Sequence, residues 1–439
     1  MSESGRLLPD AAKERPTAPE AVHGEARVLR PNRAQLLLRP TDLESLLSED
    51  HPARAVWDFV TGLDLSPLYA EIQSREGQAG RPAIDPAMLL TLWVYATVEG
   101  EGSARGLERL CEQHDAYRWI AGGVRVSYRT LSEFRVAHEA ILDALLTQSV
   151  ARLMEAGLVR LNRVAQDGMR VRASAGAASY RRQKRLRECL RTARTQVARL
   201  RRELDEDPGA STRRQKAARE WAARDRLARV ERALARLKED TREHPEQVET
   251  RRVSTTDPEA RVMKMADGGF RPAYNVQLAT ATESQVVVGV EVSTAGTDSH
   301  ALEPMLDQIE QRYGEGVAEL LADGGYARHE NIEQAEARGC RIYAPVPAPR
   351  NADRDPHRPL ADDPPAVARW RRRMGTSTAK QKYKDRAATA ECVNAQSRNR
   401  GLYRLLVRGR RKARSVALLF ALAHNAMRTR ALVSARGIA

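Results

Sequence analysis

The 439-residue sequence contains few cysteines and few aromatic residues. Aromatic residues make up only 5% of the chain, which argues against a protein that stacks single-stranded bases on aromatic side chains. No two cysteines have the short spacing of a zinc site or a redox pair, so we expect the reduced thiols of a cytosolic protein. The four cysteines are Cys111, Cys189, Cys340 and Cys392.

Long apolar runs are also missing. The two most apolar stretches, residues 88–98 and 416–427, are shorter than the roughly 18 residues that a membrane-spanning helix needs. Residues 1–6 have none of the apolar character of a signal peptide. We therefore expect a cytoplasmic protein with no membrane partner.

Acidic residues are outnumbered by basic ones. The chain has 73 Lys and Arg residues against 58 Asp and Glu residues, which gives a net charge of +15 and a pI near 10.0. Such a balance predicts a polyanionic partner. The length and a hydrophobic content of 42% are sufficient for two or three domains with cores of their own.

The N-terminal third of the sequence divides into an arm and a helical domain. Residues 1–45 contain prolines and scattered charges without periodicity, which predicts a flexible arm ending in a short helix. Residues 46–157 show helical patterns throughout. One buried helix is predicted to begin at Pro86, with Asp85 as its N-cap.

The short helices of residues 46–157 could form a helix-turn-helix that binds DNA. Thr130 and Glu133 have the spacing of a capping box, which predicts that a helix begins there. Arg125, Arg129 and Arg135 lie near the expected recognition helix. The alternative is a helical domain that makes no DNA contact and serves dimerisation, and the sequence leaves both possibilities open.

Residues 180–250 carry two heptad patterns on either side of a break at residues 207–209, which predicts an antiparallel coiled-coil hairpin. Between residues 180 and 244 there are 21 Lys and Arg residues and 11 Asp and Glu residues, so +10 of the net charge lies here. The hairpin could grip DNA or a partner subunit, and the excess of basic charge favours DNA.

The remaining segments, residues 158–179 and 251–432, have the pattern of an α/β domain in the order β-β-β-α-β-α-β-α. This order predicts a ribonuclease-H-like mixed sheet flanked by helices, in which the first and fourth strands are neighbours. Asp167 lies on the first strand, Asp323 at the end of the fourth, and Glu391 on the helix after the fifth. Three acidic side chains in these positions are expected to converge.

Three convergent carboxylates predict a metal site, because hard divalent cations such as Mg²⁺ prefer oxygen ligands. Glu391 is the only acidic residue between positions 391 and 439, beside 11 Lys and Arg residues, so an ion pair is its alternative role. With Asp167 and Asp323 it would hold two Mg²⁺ ions, for which Mn²⁺ could substitute, and support an in-line displacement at phosphorus. No small-molecule cofactor is expected.

Other polar residues are assigned structural roles. Asp267 precedes two glycines and is interpreted as a turn residue, while Asp298 is interpreted as a helix-start residue. Asp257 could cap a loop near the site. His424 and Asn425, in an otherwise apolar helix, are interpreted as a hydrogen-bonded structural pair.

Between about residues 51 and 430 the sequence resembles the DDE transposases of bacterial insertion sequences, in the branch called insertion sequence eleven-eighty-two. Each of the matching motifs is weak alone, but together they occur in the family's order. The third acidic residue belongs to a Tyr-Arg-Glu signature formed by Tyr383, Arg386 and Glu391, with Arg398 where the family usually has lysine. The other motifs are RPAIDPAMLL at 81–90, SARGL at 103–107, YRTLSEFR at 128–135, QDGM at 166–169, TDPEAR at 256–261, YNVQ at 274–277 and ADGGY at 322–326.

The resemblance implies a transposase that cuts and joins double-stranded DNA at the inverted terminal repeats of its element. It implies a homodimer working on DNA in the bacterial nucleoid, with the helical domain at the element ends. Two alternatives stay open: a nuclease of the same fold without strand transfer, and an inactive DNA-binding protein derived from a transposase. The residues expected to contact DNA are Tyr383, Arg386, Arg398, Arg408, Arg410, Arg411 and Lys412.

The signature departs from the family pattern at one point. Four residues, 387–390, separate Arg386 from Glu391, where the family usually has three. On a regular helix the additional residue would turn Glu391 away by about 100°. Either a local irregularity restores the geometry, or Arg386 contacts DNA while Glu391 faces the metals.

Overall fold

The computed structural model describes residues 42–74, 77, 81–206, 212–349 and 353–437. Nearly all of the predicted N-terminal arm, residues 1–41, lies outside the described residues. Where the arm was expected to end in a short helix, the chain forms a 3-10 turn at Glu44–Leu46. From Leu43 onward the residues form one compact unit.

Helices build the N-terminal part, as predicted. At the start of α3 the Asp85 carboxylate accepts a hydrogen bond from the Ala87 amide, and Pro86 occupies the first helical position. Every residue of this helix up to Thr97 is buried, so it forms the centre of the helical region. The helices are α1 (Pro52–Thr61), α2 (Ser66–Ala70), α3 (Pro86–Val98), α4 (Ala104–Gln113), α5 (Asp115–Ala121), α6 (Tyr128–Ala137) and α7 (Glu139–Glu155).

The predicted start of α6 is wrong. The helix begins at Tyr128, because the Ser127 hydroxyl caps it by accepting a hydrogen bond from the Thr130 amide. The expected capping box at Thr130 and Glu133 therefore lies inside the helix. Arg135 is buried at 8% exposure, so it does not belong to an exposed recognition face as the helix-turn-helix hypothesis assumed.

A mixed sheet forms the second layer. In it β1 pairs antiparallel with β5 on one side and parallel with β7 on the other. β8 continues the sheet beyond β7, and both β6 and β4 pair with the far edge of β5. The strands are β1 (Arg163–Arg172), β2 (Tyr180–Arg181), β3 (Val253–Ser254), β4 (Arg261–Lys264), β5 (Phe270–Ala281), β6 (Val287–Ser293), β7 (Glu319–Leu321) and β8 (Arg341–Tyr343).

The predicted adjacency of the first strand and the strand before Asp323 is confirmed, since β1 and β7 are parallel neighbours. The short strands β2, β3 and β4 are not among the predicted elements. The remaining helices follow β2 or lie between and after the later strands. They are α8 (Gln183–Glu206), α9 (Arg213–Asp240), α10 (Leu302–Tyr313), α11 (His329–Ala337), α12 (Pro365–Gly375), α13 (Ser377–Arg386), α14 (Cys392–Asn399) and α15 (Arg410–Ala435).

The helix predicted over residues 381–406 is wrong in its last quarter. α14 ends at Asn399, and Gly401 adopts a positive φ of 103°, which turns the chain out of the helix. The following residues pair with the end of β1: the Arg172 amide donates to the Tyr403 carbonyl, and the Leu405 amide donates to the Arg172 carbonyl.

α8 and α9 form an antiparallel helical hairpin. Glu203 pairs with Arg219, and Arg194 pairs with Glu231 nearer the base, so the two helices run in opposite directions. The residues of the heptad pattern that are buried between them include Leu186, Ala193, Leu200, Ala223, Val230 and Leu237. The predicted break at residues 207–209 lies outside the described residues.

α15 connects the helical region to the sheet. The Asn425 side chain accepts a hydrogen bond from the Val287 amide and donates one to the Val287 carbonyl, so it pairs with β6 as a strand neighbour would. The His424 Nε2 donates to the carbonyl of Gln285 at 2.7 Å. The interpretation of these two residues as a structural pair is confirmed.

His424 gives the fold a dependence on pH. Burial lowers the pKa of this imidazole from 6.5 to about 4. Between these values the unfolded chain binds a proton that the folded chain does not, so stability falls as the pH falls. We expect a loss of about 2 kcal/mol between about pH 7 and about pH 5, measured by urea unfolding. His424→Gln should be less stable at neutral pH but lose most of this pH dependence; an unchanged dependence would contradict the assignment.

Candidate active site

Asp167 lies on the central strand, opposite Leu278 of β5. Its side chain is 17% exposed, and Oδ1 accepts a hydrogen bond from the Gly168 amide at 3.0 Å. Burial raises the pKa of Asp167, while the positive charge of Arg386 opposes the rise. The negative charge of Asp323 raises the pKa of Asp167 further.

Asp323 follows β7 by two residues. The register of β1 and β7 pairs Arg163 with Glu319 and Ala165 with Leu321, and its continuation by two residues sets Asp323 beside Asp167. The Asp323 Oδ1 caps the 3-10 turn Gly324–Tyr326 by accepting a hydrogen bond from the Gly325 amide at 2.7 Å. The parallel register therefore explains why these two acidic residues meet.

The third acidic residue, Glu391, ends a π-helical segment, Ala387–Glu391, between α13 and α14. In a π-helix hydrogen bonds join residues five apart, so the fifth residue completes one turn. Arg386 and Glu391 are five apart, and an Arg386 guanidinium nitrogen donates to Glu391 Oε1 at 2.5 Å. A local irregularity, one of the two possibilities left by the sequence, thus absorbs the additional residue.

Ion pairs to the carboxylate of Glu319 hold α13 against the sheet. Lys382 and Arg163 both contact Glu319, which is the first residue of β7 and only 8% exposed in its side chain. Arg163 also donates to Asp385 at 2.7 Å, one residue before Arg386. These contacts fix the end of α13 next to β1 and β7, where Asp167 and Asp323 lie.

Arg386 lies at the centre of the acidic residues. Its guanidinium is 11% exposed and contacts Asp167 at 3.2 Å as well as Glu391. Burial alone would lower the pKa of this guanidinium, but the carboxylates, Asp167 foremost, outweigh burial and raise it. Asp323 contributes to the same effect. Asp167 and Glu391 therefore contact one guanidinium, and Asp323 acts on it through its charge.

Asn394 lies one helical turn beyond Glu391 on α14. Its side-chain amide donates to Asp167 Oδ2 at 2.9 Å, so both oxygens of Asp167 are held. Asn394 is not among the site residues predicted from the sequence. The signal that could have identified it is its position three residues after Glu391, which places both side chains on one helix face.

A buried polar network lies beside β1, next to Asp167, and is centred on the carboxylate of Asp298. Asp298 Oδ1 accepts hydrogen bonds from Asn275 at 2.6 Å and Gln277 at 2.7 Å, and Oδ2 pairs with Arg170. A Cβ on Gly168 would lie 2.3 Å from both Asp298 and Gln277, so only glycine fits after Asp167. The prediction of Asp298 as a helix-start residue is wrong, because its side chain joins this network.

The other two acidic residues have structural partners. The Asp257 carboxylate is buried, and it accepts hydrogen bonds from the Tyr274 hydroxyl at 2.8 Å and the Gly409 amide at 3.2 Å. Burial raises the pKa of Asp257, and the hydrogen bond from Tyr274 opposes the rise. Asp267 accepts from the Gly269 amide in a turn, as predicted.

The site contains carboxylate oxygens, the ligands that hard divalent cations prefer, and two of the carboxylates, those of Asp167 and Glu391, contact Arg386. In the described part of the chain, no group of three or more His, Cys, Asp or Glu side chains stands ready to hold a metal ion. Metal binding by Asp167, Asp323 and Glu391 therefore stays a prediction.

The residues predicted to contact DNA lie in two places. Tyr383 is half-buried beside Arg386, and burial raises the pKa of its phenol. Arg398 is exposed near the end of α14. The basic cluster lies around the start of α15, where Arg408 donates to the Ser174 carbonyl, two residues after β1. Its exposed members are Arg408, Arg410, Arg411 and Lys412.

Comparison with known families supports a transposase. Residues 41–137 match a transposase domain (DUF772), and residues 250–427 match the transposase DDE domain. The second match includes Asp323 and Glu391 but begins after Asp167. The two matches support a transposase of the DDE type, a class that acts on DNA and generally uses divalent metal ions.

No curated protein and no solved structure matches the chain. Over the described ranges, no helix has the length and apolarity required to cross a bilayer.

Proposed function

We propose that the chain is the transposase of a bacterial insertion sequence, of the branch called insertion sequence eleven-eighty-two, working in the cytoplasm at the nucleoid. It would cut DNA at the inverted terminal repeats of its element and join the released 3′ end to a target. Asp167, Asp323 and Glu391 would be the catalytic residues and the ligands of two Mg²⁺ ions. The sheet and its helices would form a ribonuclease-H-like catalytic domain.

One observation carries the proposal. Asp167 on β1 and Glu391 at the end of the π-helical segment both contact the guanidinium of Arg386, and the charge of Asp323, from the loop after β7, acts on it as well. They come from positions more than 60 residues apart in sequence, yet all three act on one side chain beside β1 and β7. Because one guanidinium cannot neutralise three carboxylates, the group keeps a net negative charge, and such a charge attracts divalent cations.

The chain's own residues would prepare this site. Asn394 and the Gly168 amide hold the two oxygens of Asp167, and the Gly325 amide holds Asp323. Arg386 would leave the carboxylates when they bind metal, and its guanidinium would then be free to bind a DNA phosphate. Two divalent cations held by Asp167, Asp323 and Glu391 would lower the pKa of the attacking water or 3′-hydroxyl and would stabilise the leaving oxygen.

Double-stranded DNA, as element ends and target, is the proposed partner of a homodimer. Tyr383, Arg386 and Arg398 would contact the strand at the site, and the basic cluster at the start of α15 would hold the backbone further along. The basic hairpin of α8 and α9 would add DNA contacts or hold the partner subunit.

An excision assay in cells tests the proposed function. A plasmid carries a marker between the gene's native flanking sequences, and the intact protein or Asp323→Asn is supplied from a second plasmid. We expect excised and joined DNA with the intact protein and none with Asp323→Asn, which keeps the shape of the side chain but removes its charge.

The products separate the alternatives. Cut ends without joined DNA would favour a nuclease without strand transfer. Binding to the flanking ends without any cut product from the intact protein would indicate an inactive DNA-binding protein. Equal activity of Asp323→Asn would exclude Asp323 from catalysis.

A further inference from the structure

A cavity of about 200 Å³ lies between the helical region and the segment that follows α14, and its lining does not include Asp167, Asp323 or Glu391. Trp93, Gly102 and Arg135 form one wall, and Arg400 and Arg404 form the other. The first wall belongs to the residues that match the transposase domain, and the second to those that match the DDE domain. The cavity is thus at the junction of the two matched regions.

Arg135 is a buried cation that no carboxylate of the described residues pairs with. Its side chain lies over the Trp93 ring, 4.7 Å from the ring centroid, and donates to the Gly102 carbonyl at 2.5 Å. Burial lowers the pKa of this guanidinium to about 10. Its Nε has no hydrogen-bond partner in the described ranges. A buried charge of this kind is costly unless an anion compensates it.

The opposite wall adds more positive charge. Arg400 is partly buried, and burial lowers the pKa of its guanidinium, with the charge of Glu99 opposing the change. Arg404 is exposed beside it. The acidic residue in the lining, Glu101, is engaged by the Ser103 amide at 2.6 Å. The guanidinium groups of three arginines therefore line a small cavity. One oxygen of Glu101, the acidic residue of the lining, already accepts a hydrogen bond from the backbone.

The cavity is connected to the candidate active site through α14. Glu391 directly precedes this helix and Arg400 directly follows it, so the two residues are about 13 Å apart along the helix axis at about 1.5 Å per residue. The backbone of Arg404 also forms a parallel β-bridge with that of Arg172, at the end of β1, the strand that carries Asp167. Since successive phosphates of one DNA strand are about 3.4 Å apart along the duplex axis, one strand could span both places with roughly four nucleotides.

We propose that this cavity binds a phosphate group, and that in the working protein the group is a backbone phosphate of the DNA whose cleavage occurs at Asp167, Asp323 and Glu391. A volume of about 200 Å³ is smaller than the roughly 300 Å³ of typical small-molecule sites, which suits one phosphate with its sugar rather than a large cofactor. Arginine forks bind phosphate oxygens in pairs, and the exposed Tyr403 at the rim would lie against the adjoining sugar or base. The choice of DNA as the source rests on the proposed function.

Two probes distinguish the sources of phosphate. Inorganic phosphate and a deoxynucleoside monophosphate are titrated against the full chain, with thermal unfolding as the readout. The binding of element-end duplex DNA is then measured with single phosphates replaced by neutral methylphosphonates.

The variants are Arg400→Gln and Arg404→Gln on the accessible wall, and Arg135→Lys, which keeps the buried charge. Arg160→Gln, an exposed arginine away from the cavity, is the matched control.

We expect Arg400→Gln to weaken DNA binding about ten-fold and to lower the salt dependence by about one phosphate contact. One methylphosphonate position should weaken binding by the intact protein and have no effect in Arg400→Gln, because that variant already lacks the guanidinium that would bind this phosphate. Arg160→Gln should behave as the intact protein does at every position.

The outcomes separate this inference from the proposed function. Normal DNA binding by both Arg400→Gln and Arg404→Gln, which remove positive charge from the cavity, would overturn the cavity's role while leaving the transposase proposal intact. Stabilisation by inorganic phosphate that the variants lose, without any binding of element-end DNA, would support the cavity as a phosphate site and count against both DNA as the source and the proposed function.

Discussion

Asp167→Asn is expected to abolish DNA cleavage while leaving the binding of element-end DNA within a few-fold of the intact protein. Asparagine keeps the shape of the side chain and the packing of β1, and its one carbonyl oxygen can accept the hydrogen bond from Asn394. Its NH2 group then replaces Oδ1, so the contacts of that oxygen with the Gly168 amide and Arg386 are lost. The charge that would hold metal is removed. Bound cations contribute several kcal/mol to such a transition state, which corresponds to a loss of about a thousand-fold or more at 1.36 kcal/mol per factor of ten.

Cleavage of a labelled element-end duplex and a gel-shift titration measure the two quantities separately. Asp267→Asn is the matched control, because it makes the same chemical change at an exposed turn. Titration of Mn²⁺ by calorimetry provides a readout besides activity: the intact protein should bind the ion, and Asp167→Asn should bind it more weakly. Cleavage by Asp167→Asn at the rate of the intact protein would remove this residue from the mechanism.

Much of the fold follows from patterns in the sequence. Asp85 and Pro86 specify the start of α3 through a cap and a preset φ angle, and both act locally. The adjacency of β1 and β7 follows from the order of strands and helices, because parallel strands are joined through helices. Asp167 and Asp323 could therefore be assigned to neighbouring strands from the sequence.

Other features depend on interactions that no local pattern encodes. The helix predicted over residues 381–406 ends at Asn399 because the next residues pair with the end of β1, more than 200 positions earlier. The burial of Arg135 depends on Trp93, which belongs to another helix. From the sequence alone an arginine is expected at the surface, and only the tertiary structure shows that Arg135 lines a cavity.

The buried network of Asp298 is an intermediate case. Asn275 and Gln277 are two residues apart on β5, so these two polar side chains point to the same side of a strand that is largely apolar. This pattern is visible in the sequence, but the acceptor that satisfies both amides lies in the loop before α10. The partner of a buried polar pair is thus harder to predict than the pair itself.

The π-helical segment, Ala387–Glu391, connects α13 to the helix that carries Asn394. Insertion of one alanine after Ala388 should abolish cleavage, because it turns Glu391 and Asn394 by about 100° relative to α13. The hydrogen bond from Asn394 to Asp167 and the ion pair between Arg386 and Glu391 would both be broken. A misplacement of this size costs at least about a hundred-fold in rate. Cleavage of the labelled duplex measures the decrease, and circular dichroism reports whether α13 and α14 remain helical.

Deletion of Ala388 is the matched control, and it is expected to keep cleavage within about ten-fold of the intact protein. A π-helical turn contains one residue more than an α-helical turn, so the deletion converts the segment into regular α-helix with Arg386 and Glu391 four residues apart. Ala388 is exposed, and its removal takes away the hydrogen bond that Gln285 donates to its carbonyl. If the deletion variant folds but does not cleave, the π-helical geometry itself is needed; if the insertion variant cleaves normally, Glu391 does not act from this face of the helix.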